Sequence, residues 1–342
     1  MNIGMYATTH GLMYRDNTNA FLRSLPATAM QPVRVAQLIE QAGFHSMWFP
    51  DHVCMPLQSA SEHVANVSGT RAYESHHAML DAAVVMGAVA TNTKTLKLGT
   101  SVLISPYRHP LSDARQFATV DQLSNGRLLF GVGAGWMQEE FDAIGVPYTG
   151  RGQRTEECIE IYKRSWTQEV VNFQGNYYQF DNVSMDPKPV QRPHPPIIYG
   201  GVTPGGARRA ARLCDGYYPI FLDTYADPTR YATQQDLIRR EAERLKRDLS
   251  QFFMIGVASA RLTSATSPDA QEKPRRICTG TAEQVLSDLE RFANAGYSLI
   301  ILFFDCPSGQ MTELEEQIQH CGQEVIPHAT RFVPKGEWNT KL

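Results

Sequence analysis

The sequence is poor in cysteine, in charge of one sign and in long apolar runs. Its 342 residues contain 6 cysteines and no Cys-x-x-Cys pair, which indicates free thiols in a reducing compartment. The 32 Lys and Arg nearly balance the 35 Asp and Glu, and no basic run stands out, so a nucleic-acid partner is not expected. No apolar stretch has the length of a membrane span, and the N-terminus has no cationic region followed by an apolar one. We therefore expect a cytoplasmic protein that does not bind membranes.

Several catalytic motifs are absent as well. No Gly-x-Ser-x-Gly and no P-loop occur, so hydrolase and phosphoryl-transfer chemistry lack their usual anchors. His63, His76 and His77, with Glu62 and Glu74 nearby, could suggest a metal. The adjacent histidines would point apart on a helix, however, so we expect no metal site. A loop that lines a substrate, or a plain exposed loop, explains this group better.

Strand-like apolar runs alternate with amphipathic helical stretches along the whole chain. A hairpin around a Gly-Asn turn is predicted between residues 170 and 180. This alternation predicts a (β/α)8 TIM barrel with insertions in the loops at its C-terminal face. We expect a single domain over residues 1–330 and a C-terminal tail over residues 331–342. The predicted strands are residues 2–7, 46–49, 96–104, 127–132, 197–199, 216–220, 252–258 and 298–304, and the predicted helices are 32–41, 78–90, 112–123, 154–166, 205–213, 228–249, 281–295 and 312–325.

Asp51 and His52 follow the second predicted strand directly. In a parallel barrel the C-terminal tip of a strand is where catalytic residues lie. A histidine there can exchange a proton near neutral pH, and a neighbouring carboxylate can orient it. The alternative is an ordinary Asp-His pair in a surface loop.

Two glycine-rich turns follow later strands. Gly131, Gly133 and Gly135 precede Trp136, but a nicotinamide-binding fingerprint would need a glycine at 136 and an acid after the next strand. In a barrel these glycines instead let the backbone approach a flat ligand, or they simply form a tight turn.

The second turn contains Gly200, Gly201 and Thr203 and precedes a helix that begins with two more glycines. Exposed N–H groups at a helix start attract anions, and Arg208 or Arg209 could add charge. This turn predicts a phosphate cradle. The alternative is a glycine-rich turn beside solvated arginines.

Taken together, these segments resemble the luciferase-like flavin and deazaflavin oxidoreductases over roughly residues 1–305. No single motif is decisive, but their order and spacing follow the family. The matching segments are residues 43–52, 98–102, 123–136, Glu140-Phe141, Gly145, Arg151, 173–175, 187–191, 195–197, Gly200-Gly201, Asp215-Gly216 and 279–283.

The resemblance implies a TIM barrel that binds a flavin-like ring at the strand tips. It places a non-proline cis peptide at Ser101–Val102, under the ring, and the cofactor phosphate at Gly200 and Gly201. Members that use the deazaflavin F420 more often carry Asp-His at the second strand and Ser-Val at the third, as this chain does. Asp51 and Ser101-Val102 therefore favour F420 over FMN.

The resemblance also implies roles for individual residues. His52 would transfer the proton that accompanies hydride transfer, and Asp51 would position the ring or the histidine. Ser101, Val102, Gly133, Gly135, Gly200, Gly201 and Thr203 would bind the cofactor. Trp136, His10 and Tyr107 would line the substrate pocket. Trp136 stands where F420-dependent sugar-phosphate dehydrogenases place a carboxylate, so reduction of an unsaturated or carbonyl substrate fits better than sugar-phosphate oxidation.

Two alternatives stay open. One is an FMNH2-dependent monooxygenase that uses oxygen and a separate flavin reductase. The other is a barrel that binds flavin without catalysis. In each case the resemblance implies a homo-oligomer and a small-molecule ligand or substrate.

Overall fold

The computed structural model describes residues 1–15, 20–62, 72–74, 76–221, 227–336 and 338. Within these ranges, eight parallel strands form a closed barrel. Neighbouring strands pair in chain order, and β8 returns to pair with β1, so the sheet has no open edge. The predicted (β/α)8 architecture is confirmed. The barrel strands are β1 (Asn2–Tyr6), β2 (Ser46–Phe49), β3 (Lys97–Thr100), β4 (Leu128–Gly133), β5 (Ile197–Gly200), β6 (Gly216–Tyr218), β7 (Phe253–Leu262) and β8 (Leu299–Phe304).

Helices surround the barrel. Among the described residues, eight helices correspond to the predicted ones, most of them with shifted ends, and three short helices, Gln138–Ala143, Pro268–Gln271 and Ile326–Ala329, were not predicted. The predicted helix 228–249 is an exception, because it divides into a 3₁₀ turn at Pro228–Tyr231 and a shorter helix that ends before Lys246, which has a φ of 54°. The helices are α1 (Pro32–Gln41), α2 (Ala82–Asn92), α3 (Pro110–Leu123), α4 (Gln138–Ala143), α5 (Arg151–Thr167), α6 (Pro204–Leu213), α7 (Ala232–Leu245), α8 (Pro268–Gln271), α9 (Ala282–Asn294), α10 (Met311–Glu324) and α11 (Ile326–Ala329), with further 3₁₀ turns at Ala27–Ala29 and Ser105–Tyr107.

Side chains at the helix starts explain several of these boundaries. Thr281 accepts a hydrogen bond from the backbone N–H of Gln284, whose side chain accepts one from the N–H of Thr281. This capping box, predicted from the sequence, satisfies two N–H groups that the first turn of α9 leaves without helical partners. Thr203 caps α6 in the simpler way, through a hydrogen bond from the N–H of Gly206.

The barrel strands are buried on both faces. On β8, Ile301 and Phe303 belong to the cluster inside the barrel, whereas Ile300 and Leu302 belong to the layer between strands and helices. This alternation follows from the two-residue period of a strand and explains why the strands appear in the sequence as continuous apolar runs.

Two hairpins and one interrupted strand depart from the simple strand–helix repeat. An antiparallel hairpin, Leu12–Arg15 with Ala20–Arg23, follows β1 and was not predicted. The hairpin predicted after α5 is confirmed as Val171–Gln174 with Gln179–Val183. The predicted strand 96–104 is interrupted, because the Ser101–Val102 peptide is cis and a short strand, Leu103–Ile104, follows it.

The chain after α11 packs against the barrel in its described part. The N–H of Lys335 donates to the carbonyl of Ala293, and Trp338 is only 4% exposed. The ring of Trp338 contacts that of Phe252 at 5.7 Å. Residues 331–336 and 338 of the predicted tail are therefore held against the domain. Among the described helices, none has the length and apolar character required to cross a membrane.

Candidate active site

A pocket of about 590 Å³ opens at the C-terminal ends of the barrel strands. This volume is in the range of small-molecule and cofactor sites, and the position is that of active sites in TIM barrels. The structure brings almost all of the predicted site residues together on its wall. They are His10, Asp51, His52, Ser101, Val102, Gly133, Gly135, Trp136, Gly200, Gly201 and Thr203.

His52 is held by a carboxylate that the sequence prediction did not include. Its Nδ1 lies 2.6 Å from Oε2 of Glu140, in α4, and the side chains are 7% and 0% exposed. Glu140 follows the glycine turn after β4 by a few residues. The prediction treated Trp136 as replacing a carboxylate at this tip, whereas Glu140, one turn further on, places one beside His52.

The two carboxylate oxygens of Glu140 also accept hydrogen bonds from other groups. The N–H groups of Val53 and Cys54 donate to Oε1 at 2.6 Å and 3.2 Å, and the hydroxyl of Tyr107 donates to Oε2 at 2.8 Å. Burial raises the pKa of the Glu140 carboxyl, but the hydrogen bonds from His52, Tyr107 and Val53 outweigh it, and the pKa lies below its usual value. Glu140 is therefore a carboxylate at neutral pH.

The structure does not bring the Asp51 carboxylate to His52, which was one of the two roles predicted for it. Its carboxylate accepts two hydrogen bonds from Arg108, at 2.7 Å and 2.8 Å, and a third from the N–H of Ile104 at 3.0 Å. Asp51 thus connects the ends of β2 and β3, and Glu140 is the partner of His52. The adjacent pair misled the sequence prediction because successive residues at a strand end point in different directions.

The position predicted for Tyr107 also differs from the one observed. It was predicted to line the substrate pocket, but its ring is buried behind the wall, against Phe141 at 4.7 Å, and its hydroxyl binds Glu140. Burial and the neighbouring carboxylate raise the pKa of the Tyr107 hydroxyl well above its usual value, so this hydroxyl stays protonated and donates.

The floor of the pocket is built around Val102. A Cβ atom at Gly133 would lie 2.6 Å from one methyl of Val102, and a Cβ at Gly200 would lie 2.5 Å from the other. Glycine is therefore required at these strand ends to make room for a protein side chain, and not only for a ligand, as predicted. Ser101 is fixed on both sides, since the hydroxyl of Tyr6 donates to its carbonyl at 3.0 Å and its own hydroxyl lies 2.7 Å from that of Tyr218.

One end of the pocket is suited to an anion. A Cβ at Gly205, in the first turn of α6, would meet nothing within 4 Å, so the helix start presents open backbone to the pocket. Arg209 and Arg151 line the same end. Arg209 is anchored by Glu156 at 2.9 Å and Arg151 by the carbonyl of Gly135 at 3.1 Å. The positive end of the helix and two guanidinium groups together favour a phosphate. Arg208, the other candidate for this charge, does not line the pocket.

The opposite end is aromatic and apolar. Tyr73 and Trp136 flank the ring of His52 edge-on, at 5.3 Å and 6.4 Å between ring centroids. His10 is buried beside Tyr6 and Phe303, and its Nδ1 makes no hydrogen bond within the described part of the chain. Burial, with smaller effects of His77 and His52, lowers the pKa of His10 well below its usual value, so its imidazole is neutral. Met13, Phe21 and Leu22 of the hairpin after β1 complete this wall.

The histidine group of the sequence does not form a common site in the described ranges. His77 is buried and its Nε2 contacts the carbonyl of His10 at 2.7 Å, while His63 lies outside the described residues. Among residues 1–15, 20–62, 72–74, 76–221, 227–336 and 338, no three His, Cys, Asp or Glu side chains converge as metal ligands would.

Residues 1–306 match the family model of the luciferase-like monooxygenases. The chain belongs to this family. An FMNH2-dependent dimethylsulfone monooxygenase of Pseudomonas putida is 32% identical to this luciferase-like chain over 188 residues, which are 54% of this chain and 47% of that protein. The matched segment thus spans about half the length of that relative.

Solved structures agree on the fold. An F420-dependent secondary alcohol dehydrogenase, in complex with an F420-acetone adduct, superposes with a TM-score of 0.72 at 20% identity, over 96% of this chain and 98% of that one. The oxygenating constituent of 3,6-diketocamphane monooxygenase from Pseudomonas putida, in complex with FMN, superposes with a TM-score of 0.71 at 14% identity, over 98% of this chain and all of that one (100%). The same barrel therefore occurs with either cofactor.

Proposed function

We propose that this chain is an oxidoreductase that uses F420 to move a hydride to or from a small organic substrate. One observation carries the proposal: a single pocket has a histidine tied to a buried carboxylate at one end and a helix start flanked by two arginines at the other. A redox ring that carries a phosphate on its tail would fit between these ends. Asp51 before His52 and Ser101-Val102 after β3 favour F420 over FMN through the family resemblance.

The pocket residues divide into those that hold the cofactor and those that meet the substrate. Ser101 and Val102 support the rear face of the ring, with Gly133 and Gly135 beside them. Gly200, Gly201 and Thr203 border the phosphate, and Asp51 acts indirectly, by joining the strand ends that carry His52 and Val102. F420, when bound, supplies a carbon that gives or accepts a hydride and hardly reacts with oxygen.

The chain itself supplies the proton. Hydride transfer between a carbonyl and an alcohol leaves one proton to be added to, or removed from, the substrate oxygen. His52, on the wall of the pocket just after β2, is the group that exchanges this proton. Trp136 and His10 line the part of the pocket that binds the substrate. The surrounding aromatic rings exclude water, which strengthens the polar contacts between the substrate and the pocket.

A second candidate is an FMNH2-dependent monooxygenase. The P. putida relative, which is named as FMNH2-dependent, favours it. A flavin reductase would then be a partner, because the reduced flavin must be delivered from outside. This candidate predicts oxygen uptake when reduced FMN is supplied, whereas the F420 proposal predicts none.

Cofactor titration tests the proposal. Purified protein is titrated with F420 and with FMN, and each titration is followed by fluorescence quenching. The F420 proposal expects tight binding of F420, and His52→Gln should remove turnover while sparing this binding. Micromolar binding of FMN without binding of F420 would overturn it. A His52→Gln variant with full turnover would exclude the proposed proton transfer, and a barrel with no turnover on any substrate panel would be a binding protein.

We also propose an oligomeric state and a cellular location for the protein. The resemblance supports a homo-oligomer, and the free cysteines of the chain support a reducing compartment, for which the cytoplasm is the proposed location. Sedimentation velocity measures the former, because a homodimer has about twice the mass of the 38.3 kDa chain. Fractionation of the producing cell measures the latter.

A further inference from the structure

Glu140 is held by hydrogen bonds to both of its carboxylate oxygens. It is fully buried, and its two oxygens have separate partners. Oε1 accepts from the backbone N–H groups of Val53 and Cys54, and Oε2 meets His52 and Tyr107. One oxygen therefore holds the loop after β2, while the other contacts the ring of the pocket histidine.

The contact with His52 determines which ring nitrogen carries the proton. A carboxylate has no hydrogen to donate, so a neutral imidazole 2.6 Å away must donate through Nδ1–H. The hydroxyl of Tyr107 already donates to the same oxygen at 2.8 Å, which keeps that oxygen in an accepting role. Nε2 of neutral His52 then carries the lone pair.

We propose that Glu140 is a positioning residue that fixes neutral His52 as the Nδ1–H tautomer and so makes Nε2 the base of the reaction. Tyr107 supports it by orienting Oε2. The consequence for catalysis rests on the role proposed for His52, whereas the tautomer itself does not. Tyr73 and Trp136 also contact the ring edge-on, so the carboxylate and the two aromatic rings together restrict its rotation.

Glu140→Gln separates the two tasks of this side chain. The amide oxygen of Gln can replace Oε1 and keep the N–H groups of Val53 and Cys54. The NH2 group must then take the place of Oε2 and donate to Nδ1 of His52. The loop stays anchored, but the histidine is driven to the Nε2–H tautomer.

Glu139 offers a matched control. It is the preceding residue of α4 and holds the same loop further along, through the N–H groups of Ala60 and Ser61 and the hydroxyls of Ser59 and Ser61. Glu139→Gln changes an equivalent anchor of the loop and leaves His52 untouched. Tyr107→Phe is the milder variant, which removes one hydrogen bond from Oε2 and keeps the carboxylate.

Nitrogen-15 NMR of histidine-labelled protein without cofactor reads the tautomer directly. Spectra are taken near pH 9, where an ordinary histidine is neutral, and the signals of His52 are identified by their loss in His52→Gln. We expect the Nδ1–H form in the wild type, in Glu139→Gln and in Tyr107→Phe, and the Nε2–H form in Glu140→Gln. An unchanged tautomer in Glu140→Gln, or the Nε2–H form in the wild type, would overturn the proposal.

Turnover then separates this inference from the proposed function. In Glu140→Gln we expect kcat to fall by about 10²- to 10⁴-fold, the usual contribution of a general base, with the cofactor Kd unchanged. Glu139→Gln should keep its kcat. A fall in kcat without a change of tautomer would make Glu140 a structural residue only. If no cofactor supports turnover, the proposed function fails and the NMR result still decides the tautomer.

Discussion

Gly205 differs from the other glycines of the pocket, because a side chain there would enter open space rather than meet protein atoms. Gly205→Asp therefore places a carboxylate beside the proposed phosphate without disturbing the fold, and an acid in the first turn of a helix is itself favourable. Like-charge repulsion of about 1–3 kcal/mol should raise the Kd of a phosphate-bearing cofactor by roughly 10- to 100-fold. Titration by fluorescence quenching measures it.

Two comparisons control this prediction. Gly205→Ala has the same added Cβ without charge and should bind nearly as well as the wild type. Riboflavin, which lacks the phosphate of FMN, should be insensitive to Gly205→Asp. Equal weakening of riboflavin and FMN would show that the carboxylate blocks the pocket instead of repelling an anion.

Asp113, in the first turn of α3, gives the fold a dependence on pH. It is fully buried, one of its oxygens accepts from the hydroxyl of Tyr162 at 2.9 Å, and the other has no partner among the described residues. Burial raises the pKa of its carboxyl to about 7, partly opposed by Arg108. The folded protein thus holds a proton that the unfolded chain releases near pH 4, and the contribution of Asp113 to stability falls as pH rises from there to about 7.

Asp113→Asn should reduce this dependence. The loss of unfolding free energy between pH 5 and pH 8 should be smaller in the variant than in the wild type by roughly 1–3 kcal/mol. Asn still accepts from Tyr162, and a constant offset from the changed side chain cancels in the difference between the two pH values. Urea denaturation at pH 5 and pH 8 measures the free energy of unfolding of each protein. An equal change with pH in the wild type and the variant would contradict the protonation of Asp113 in the folded protein.

At the scale of elements, Arg127 joins the ends of two helices to the barrel. Its guanidinium donates to the carbonyls of Ala90 and Thr93 at the end of α2, to that of Ser124 after α3, and to that of Leu96 before β3. The carbonyls of Ala90, Thr93 and Ser124 lie at helix ends, where backbone groups lack helical partners. One side chain therefore satisfies several buried acceptors at once.

Arg127→Met removes these donors while keeping most of the apolar stem. We expect the free energy of unfolding to fall by about 2–4 kcal/mol, because buried carbonyls lose their partners. Arg115→Met, at an exposed position of α3, is the matched control and should change it by less than about 0.5 kcal/mol. Equal stability of the two variants would show that water replaces the guanidinium.

The elements also differ in how far they could be predicted. The capping box of α9 and the hairpin after α5 were recognised, since their signals are local. The hairpin after β1 was missed, because distant contacts hold it: Met13 bridges to Asp305 beyond β8, and Leu22 bridges to Tyr73. Pairing between such distant segments cannot be predicted from the strand propensities of the residues themselves.

At the scale of the whole molecule, the strand–helix repeat predicted the barrel and therefore the face on which Asp51 and His52 meet the glycine turns. The partner of His52 could not be predicted in this way. Glu140 is separated from it by 88 positions, and only the closure of the barrel brings α4 beside the loop after β2. The strand–helix repeat predicts which ends of the strands come together. It does not predict which side chains pair across the pocket, because that pairing depends on the geometry of the loops.

The end of the chain tests how far the domain extends. Trp338 packs on Phe252, just before β7, and a Cβ at Gly296, just before β8, would lie 2.9 Å from its indole nitrogen. It thus covers the N-terminal face of the barrel, which in this fold serves stability. Trp338→Ala should lower the free energy of unfolding by about 2–4 kcal/mol, with cofactor affinity unchanged at the opposite face.

Val333 provides the control within the same segment, because it is 75% exposed. Val333→Ala should leave the free energy of unfolding within about 0.5 kcal/mol of the wild type. Guanidinium denaturation followed by circular dichroism compares the two variants. If Trp338→Ala is as stable as Val333→Ala, the segment after residue 330 is a tail outside the folding unit, as the sequence predicted. If only Trp338→Ala is destabilised, the folding unit includes this segment. The reason would be that the buried indole couples the segment to the strands that carry the pocket at their other ends.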